Sequence, residues 1–289
     1  MNTILVPTDF SKCANNAAKY AILLAEKYKS RLIFFHSAFQ PIITQSLTEV
    51  YLQAVETEKK IKTKTLADNI GIIYNELSKK MDENKSRFIV MFNANVVEDI
   101  IEMIKNENID LVIMGTKGAG GLKEIFIGSN TAKVIERAKC PVIAVPEDAS
   151  FIEIRNITYA TDYHESDIEA LKKLVEIAKP FNAKINIVHA ADEEFTPQFE
   201  EFEINKFKNI VRNNIKYSKI SFGVEYGKYL EDILQDHIKE EAPDLLAMST
   251  QDRNLMGKIL GTSLTKRMAY HTNVPLLAFH HKKESLVFI

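Results

Sequence analysis

The sequence has few cysteines, almost no excess charge and no long apolar run, and each absence excludes a class of protein. Its two cysteines, Cys13 and Cys140, stand far apart without CxxC spacing, so neither a disulfide framework nor a thiolate zinc site is indicated. The 37 basic and 39 acidic residues leave a formal net charge of -2, which gives no overall positive field to attract nucleic acid or an acidic membrane. Nucleic acid is therefore not expected as a partner.

Membrane and secretory features are also missing from the sequence. No stretch of about 18 apolar residues occurs, and the opening MNTILVPTDF lacks the basic and apolar regions of a signal peptide. Together with cysteines that suit a reducing compartment, this predicts a cytoplasmic protein without a membrane partner. The 289 residues, 46% of them hydrophobic, are enough for two soluble domains with a core each.

Short apolar runs alternate with segments of helical period, which is typical of a parallel sheet flanked by helices. The apolar character of these runs is unbroken, which predicts strands that are covered on both faces. One long helix is predicted over residues 43–81. In the first half the predicted strands are TILVP (3–7), RLIFFH (31–36), RFIVMF (87–92), LVIM (111–114) and PVIAV (141–145).

The second half repeats the first in four blocks that keep the same order, which indicates a tandem duplication. The predicted domains are residues 1–147 and 154–289. Their connector, 147–154, contains apolar residues and no glycine or proline, so we expect the halves to pack together rather than move on a flexible tether. The paired blocks are ILVPTDFS (4–11) with ITYATDYH (157–164), RLIFFHSA (31–38) with KINIVHAA (184–191), DLVIMG (110–115) with DLLAMS (244–249), and CPVIAVP (140–146) with VPLLAFH (274–280).

A glycine-rich segment follows the fourth predicted strand of the first half. Glycines let main-chain N–H groups approach an anion closely, and a helix N-terminus adds its dipole and unpaired donors. The spacing Gly-x2-Gly-x9-Gly-Ser is neither GxGxxG nor the P-loop. Ser129 or Asn130 is expected to cap the following helix or to donate to a phosphate oxygen. The segment runs from Met114 at the strand end through Gly115 and Gly118 to Gly128, Ser129 and Asn130 before TAKVIERAK.

This spacing, together with Pro-Thr-Asp at the end of the opening strand, resembles the nucleotide-binding pattern of the universal stress protein family. The resemblance covers nearly the whole chain, since each half has the opening strand, a second strand with a histidine, and a similar last strand. It implies an α/β fold of two tandem doubly wound domains, Rossmann-like and similar to adenine nucleotide α-hydrolases. Each domain would be a five-stranded parallel sheet in 3-2-1-4-5 order, and the two would pack as a pseudo-dimer through their final strands.

The resemblance also implies a site for ATP, with or without Mg, in the first half. The residues that match the family's nucleotide-binding residues form two groups. Both groups follow the carboxyl ends of strands, where an open α/β sheet has its crevice. The Asp9 carboxylate can accept from a ribose hydroxyl or an adenine N–H, although it also suits a helix N-cap. In family members that bind ATP, the residues around adenine and ribose match Pro7, Thr8, Asp9 and Ser37, and those around ribose and phosphates match Met114, Gly115, Gly118, Gly128, Ser129 and Asn130.

The expected function is a stress-response regulator that binds an adenine nucleotide and acts through an unidentified protein partner, with homodimer formation also expected. We predict no catalytic residues, because the sequence offers no Ser/Cys–His pattern, no Walker lysine and no arrayed carboxylates. One alternative is an α-hydrolase-type enzyme with slow ATP hydrolysis or adenylation, although VPTDFS lacks the SGGxDS-like loop of that group. A scaffold that binds no nucleotide is the other alternative.

The second half is not expected to bind ATP in the family manner. Ser249 replaces Gly115 and Asp252 replaces Gly118, which puts a Cβ and a negative charge where phosphate would lie. Gly261 also lies twelve residues after Ser249, whereas Gly128 lies thirteen after Gly115.

Histidines are expected to have structural roles. His36 and His189 repeat near the ends of matched strands, and a hydrogen-bonding role is predicted for both. His271, His280 and His281 lack accompanying acidic or cysteine ligands at metal spacing, so no metal site is predicted.

Overall fold

The computed structural model of the protein describes residues 1–39, 48–92, 95–117, 127–151, 153–164, 167–192, 197–228, 230–249 and 273–280. These residues form two compact units, one ending at Ser150 and the other starting at Phe151. Each unit alternates strands and helices around a parallel sheet, as predicted. We propose 1–147 and 154–289 as the limits of the two domains.

The first domain contains a parallel sheet in the order β3-β2-β1-β4-β5, so the predicted 3-2-1-4-5 order is confirmed. Its elements are β1 (Thr3–Pro7), α1 (Lys12–Tyr28), β2 (Arg31–Ala38), α2 (Thr48–Glu76), β3 (Ser86–Phe92), α3 (Val96–Asn106), β4 (Leu111–Gly115), α4 (Ser129–Arg137) and β5 (Val142–Val145).

The second domain has the same order, β8-β7-β6-β9-β10, again with parallel neighbours. Its elements are β6 (Asn156–Ala160), α5 (Asp167–Ala178), a 3₁₀ turn (Lys179–Phe181), β7 (Lys184–Asp192), α6 (Pro197–Asn214), β8 (Ile220–Gly227), α7 (Leu230–Glu241), β9 (Leu245–Ser249) and β10 (Leu276–Phe279).

Small side chains on α1 bring this helix close to the first sheet. Ala17, Ala18 and Ala21 are fully buried, and α1 contacts the central strands β1 and β4. Every residue of these two strands is buried, which explains their unbroken apolar sequences. The close approach of α1 fixes the position of its N-terminus at the carboxyl end of β4.

Helix α2 is shorter than predicted from its sequence. Residues 43–47 of the predicted helix lie outside the described residues, and the helix ends at Glu76 rather than at 81. Ser78 has a left-handed φ of 53°, and Lys79 donates its N–H to the Tyr74 carbonyl. A left-handed residue of this kind commonly ends a helix. This helix end was not predictable from the residue type, because serine rather than glycine occupies the position.

The two domains repeat a contact at the amino edge of the sheet. Asp110, just before β4, accepts main-chain N–H groups at the start of β1 at 2.6 and 3.0 Å. Asp244, just before β9, does the same at the start of β6, at 2.7 and 2.8 Å. Since the residues also match in sequence, the contact supports the predicted duplication.

Candidate functional site

The turn after β1 places Thr8 and Asp9 at the carboxyl edge of the first sheet. Thr8 is buried, and its Oγ1 accepts the Phe10 N–H at 3.0 Å. Asp9 is exposed, and its Oδ1 accepts the Ser11 N–H at 3.0 Å. Phe10 between these bonds has a left-handed φ of 65°. The two bonds order the turn and keep a carboxylate at the surface beside the buried Pro7.

Helix α1 is capped by Ser11 rather than by Asp9. The Ser11 side chain accepts the Ala14 N–H at 3.2 Å, which is the usual N-cap contact. The alternative prediction that Asp9 caps this helix is therefore wrong. Asp9 lies two residues before this N-cap and orders the preceding turn instead.

At the end of β2, Ser37 is held by a carboxylate that the sequence analysis missed. Ser37 Oγ donates to Asp99 Oδ2 at 2.7 Å. Asp99 lies in the first turn of α3 and is only 1% exposed. An acidic residue in a first turn ordinarily complements the helix dipole at the surface, so its sequence position gave no sign of burial. The one available signal was helical spacing, since the apolar Met103 lies four residues on and is buried on the same face.

His36 has the structural role that was predicted for it. Its Nδ1 donates to the Thr8 carbonyl at 2.8 Å, and its ring lies 4.5 Å from that of Phe10 between centroids. The histidine therefore joins the end of β2 to the turn after β1. This contact fixes the relative positions of Asp9 and Ser37.

Gly115, at the end of β4, has no room for a side chain. A Cβ added there would lie 2.9 Å from both the carbonyl carbon and the sulfur of Cys13. The Gly115 carbonyl accepts from Thr131 Oγ1 at 2.9 Å, which ties the first turn of α4 to the strand end. Close packing against α1 is therefore one physical reason for this glycine. Met114 is buried just before it, and Gly118 lies outside the described residues.

Helix α4 begins without a side-chain cap. Gly128 is its N-cap and forms no side-chain hydrogen bond, whereas Ser11 and Asn95 cap α1 and α3 with their side chains. Ser129 and Asn130 are exposed helical residues, so the prediction that one of them caps the helix is wrong. In the described part of the chain no side chain caps the first N–H groups of α4, and such groups attract anions.

The strand register and the hydrogen bond from Thr131 of α4 to Gly115 bring the described candidate residues to one edge of the sheet. Pro7 pairs with Phe35, three residues before the end of β2, and Gly115 pairs with Val145. Because β1 lies between β2 and β4, the turn after β1 is flanked by both other strand ends. The edge thus combines an exposed carboxylate, an ordered serine hydroxyl and an uncapped helix N-terminus.

The second domain repeats the turn but not the neighbouring chemistry. Thr161 Oγ1 accepts the Tyr163 N–H at 2.9 Å, and His189 Nδ1 donates to the Thr161 carbonyl at 2.7 Å, which confirms the structural role predicted for this histidine. By sequence, Ala190 stands where Ser37 does, and Ser249 where Gly115 does. The remainder of the counterpart loop, with Asp252 and Gly261, lies outside the described residues, as do His271 and His281.

Among the described residues, the second edge has two buried carboxylates, whereas the first has only Asp99. Asp167 accepts from the hydroxyls of Tyr159 and Thr161, at 2.9 and 2.5 Å. Glu200 is 4% exposed, and its Oε2 lies 3.7 Å from His189 Nε2 without a hydrogen-bond partner in the described part of the chain. Burial, and then the charge of Glu200, raise the pKa of the Tyr163 hydroxyl well above its ordinary value. This acidic environment disfavours a phosphate group.

Two absences among the described residues bear on the kind of site. No helix among them has both the length and the apolar character needed to span a bilayer. No three histidine, cysteine, aspartate or glutamate side chains in the same residues come together as a group that could hold a metal ion.

Comparisons with known proteins agree with this architecture. The model of the universal stress protein family matches residues 1–146 and again 153–280. Universal stress protein YxiE of Bacillus subtilis is 26% identical over 145 residues, 50% of this chain and 98% of that protein. Universal stress protein MJ0531 of Methanocaldococcus jannaschii is 28% identical over 150 residues, 49% of this chain and 80% of that protein. The crystal structure of a universal stress protein from Archaeoglobus fulgidus has a similar fold, with 19% identity, a TM-score of 0.64 and 96% coverage of both chains.

Proposed function

Because the chain belongs to the universal stress protein family, we propose that its first domain binds ATP and that the protein acts as a stress-response regulator. The observation that carries this proposal is the start of α4, where Gly128 leaves the first N–H groups without a side-chain cap. A phosphate group satisfies such donors and is favoured by the helix dipole. The glycine pattern that leads into this helix supports a polyphosphate rather than a single small anion.

In this proposal the phosphates lie against the glycine segment. Gly115, Gly118 and Gly128 let the main chain approach the phosphate oxygens, while Ser129 and Asn130 supply donors from the first turn of α4. The exposed positions of Ser129 and Asn130 suit this role. Met114, buried at the strand end, forms the apolar side of the site beneath the ribose.

The adenosine half of ATP lies nearer to β1 and β2. Asp9 is exposed at the strand end and accepts from a ribose hydroxyl or an adenine N–H. Pro7 and Thr8 form the buried wall beside it. Ser37 contributes an oxygen whose position is set by the buried Asp99. A preordered hydroxyl costs less entropy on binding than a freely rotating one.

The proposed role is regulatory rather than catalytic, and the proposed location is the cytoplasm. ATP binding, with or without Mg, would alter how the protein engages an unidentified protein partner. We assign the hydroxyl–carboxylate pair at the crevice, Ser37 with Asp99, to positioning of the ligand rather than to catalysis. We further propose that the second domain does not bind ATP, because Ser249 and the buried Asp167 and Glu200 occupy its corresponding edge.

Calorimetric titration of the full chain with ATP tests the proposal. We expect saturable binding, and we expect Gly118→Asp to abolish it, because the carboxylate repels phosphate and the Cβ obstructs the main chain. Gly71→Asp is the matched control, since this position is near the C-terminal end of α2 and a Cβ there meets nothing within 4 Å. Equal affinity in wild type and Gly118→Asp would refute the proposed site.

A further inference from the structure

A groove lies at the opposite edge of the first domain from the crevice, where β4 and β5 begin. It has a volume of about 580 Å³, within the range of small-molecule sites. The second half of α3 and the end of α4 form its walls. Its floor is apolar and consists of Ile101, Ile104, Ile109 and Cys140, of which all but the half-buried Ile101 are buried.

The acidic side chains around this groove are already engaged by groups of the same domain. Glu98 receives two hydrogen bonds from Arg137, at 2.6 and 2.7 Å, and these bonds hold the pKa of Glu98 below its ordinary value. Asp110 accepts the two main-chain N–H groups at the start of β1. Glu102 accepts from Asn106 at 3.4 Å. The negative charges therefore have local partners.

Two basic side chains at the groove, unlike these acids, have no partner among the described residues. Lys105 on α3 and Lys139, just after α4, are both exposed and both line the groove. Neither forms an ion pair or side-chain hydrogen bond with another residue in the described part of the chain. Three acidic and three basic side chains line the groove, and within the ranges that the structure describes these two lysines are cations without a partner beside its apolar floor.

We propose that this groove binds a fatty carboxylate. Its chain would lie on Ile101, Ile104 and Ile109, and its carboxylate would pair with Lys105 and Lys139. An apolar chain gains from leaving water for such a floor, and a carboxylate pairs well with lysine ammonium groups. A nucleotide suits the groove less well, because isoleucines and a cysteine form the floor and no aromatic side chain among the described residues lines it for a base to stack on. This proposal does not depend on ATP binding, since the groove and the crevice are at opposite ends of the strands.

Titration of the full chain with decanoate, followed calorimetrically, tests the proposal. We expect saturable binding of one decanoate per chain, with much weaker binding of decanol, which lacks the charge, and of acetate, which lacks the chain. Lys105→Glu and Lys139→Glu should each weaken decanoate binding by roughly tenfold or more. Both side chains are exposed, so folding should be retained and is checked by circular dichroism. Lys60→Glu, the same charge reversal on an exposed residue of α2, should leave the affinity unchanged.

A second variant tests the apolar floor independently. Ile101→Asp puts a charge on the half-buried wall of the groove and should also abolish decanoate binding. Absence of saturable binding, or equal affinity in wild type and both lysine variants, would overturn the proposal. Self-association of the chain that the same lysine variants abolish would also overturn it, by showing that the groove is an interface between copies.

Discussion

Ser37 and Asp99 are 62 positions apart in the sequence, yet they share a 2.7 Å hydrogen bond at the edge of the crevice. Asp99 is almost fully buried, so its carboxylate holds the serine hydroxyl in a fixed orientation. In the proposed site this makes Asp99 a positioning residue for Ser37. The two side chains should therefore act as one unit when ATP binds.

A double-mutant cycle tests this coupling. We expect Ser37→Ala and Asp99→Asn each to weaken ATP binding several-fold, because each removes the same ordered hydroxyl contact. The double variant should bind about as well as either single variant, which corresponds to a coupling of roughly 0.5–3 kcal/mol. Affinities come from calorimetric titration. Fully additive losses would mean that the serine and the aspartate act separately.

Gly115 allows a prediction about stability that is independent of any ligand. A Cβ at this position would lie 2.9 Å from the Cys13 carbonyl carbon, which is main chain and cannot rotate away. Gly115→Ala should therefore lower the free energy of unfolding by about 1–3 kcal/mol. Gly71→Ala on α2 is the contrasting variant. Its Cβ meets nothing within 4 Å, so helix propensity should raise the free energy of unfolding by up to about 1 kcal/mol.

Urea denaturation of both variants measures this contrast. Both substitutions replace glycine by alanine. If they change the free energy of unfolding in opposite directions, the difference comes from the surroundings of each glycine and not from alanine itself. A stabilised Gly115→Ala protein would contradict the packing account of this glycine.

At the scale of elements, three of the helices that follow strands to the crevice edge differ in how they start. Helices α1 and α3 are capped by Ser11 and Asn95, whose side chains accept N–H groups of the first turn. Helix α4 starts at Gly128 without such a contact. A cap satisfies the same donors that a phosphate would use. The absence of a side-chain cap on α4 is thus consistent with a ligand that accepts the N–H groups of its first turn.

A cap introduced on α4 should stabilise the protein and weaken ATP binding at the same time. Gly128 has φ of -64° and ψ of 154°, the extended conformation that Asn adopts at an N-cap. Gly128→Asn should raise the free energy of unfolding without ligand by a few tenths of a kcal/mol. It should lower ATP affinity about tenfold, because the side chain competes for the first N–H groups.

The comparison variant is Ser11→Ala, which removes the α1 cap. It should lower the free energy of unfolding by about 1 kcal/mol. Thermal unfolding and ATP titration of both variants measure these effects. If Gly128→Asn binds ATP as tightly as the wild type, the first turn of α4 does not contact phosphate.

Strands were predicted more accurately than helix ends, for a physical reason. The predicted strand TILVP coincides with β1, since burial on both faces leaves an unbroken apolar run in the sequence. Helix ends depend on local hydrogen bonds that several residue types can make. Asp9, Ser11 and Ser129 are all good capping residues, and only the geometry shows that Ser11 caps a helix while the other two do not.

The candidate site was predictable where glycine spacing and strand ends carried the information. The pattern located Gly115 and Gly128, and the alternation of strands and helices put them at the carboxyl edge with Asp9. Asp99 was missed because its contact with Ser37 joins distant parts of the chain. Local sequence patterns do not predict a contact between distant residues, and burial of a first-turn acid is unusual.

At the scale of the whole molecule, the two domains share their strand order and turn contacts but differ in the residues at the carboxyl edges of their sheets. Both domains keep the strand order, the threonine turn and its histidine contact. The second domain has Ser249 where the first has Gly115, and it adds the buried Glu200. The shared features are those that hold each sheet together, and the differing features are those that would meet a ligand. This division predicts one functional site per chain rather than two.

The packing of the two domains as a pseudo-dimer, and pairing of chains into a homodimer, stay predictions. The apolar connector 147–154 favours contact between the domains over free movement. Small-angle scattering of the purified protein should therefore show a single compact particle, with the concentration dependence reporting any homodimer. Scattering from two independently moving lobes would refute the packed arrangement.

Native mass spectrometry of the intact chain in the presence of ATP tests the central claim most directly, because it counts nucleotides on each protein molecule. We predict that the wild-type protein carries one ATP per chain at saturation and that Gly118→Asp carries none. Asp162→Ala, at the second-domain position that matches Asp9, should still carry one. Two nucleotides per wild-type chain, no bound nucleotide, or one nucleotide retained by Gly118→Asp would contradict a single ATP site in the first domain.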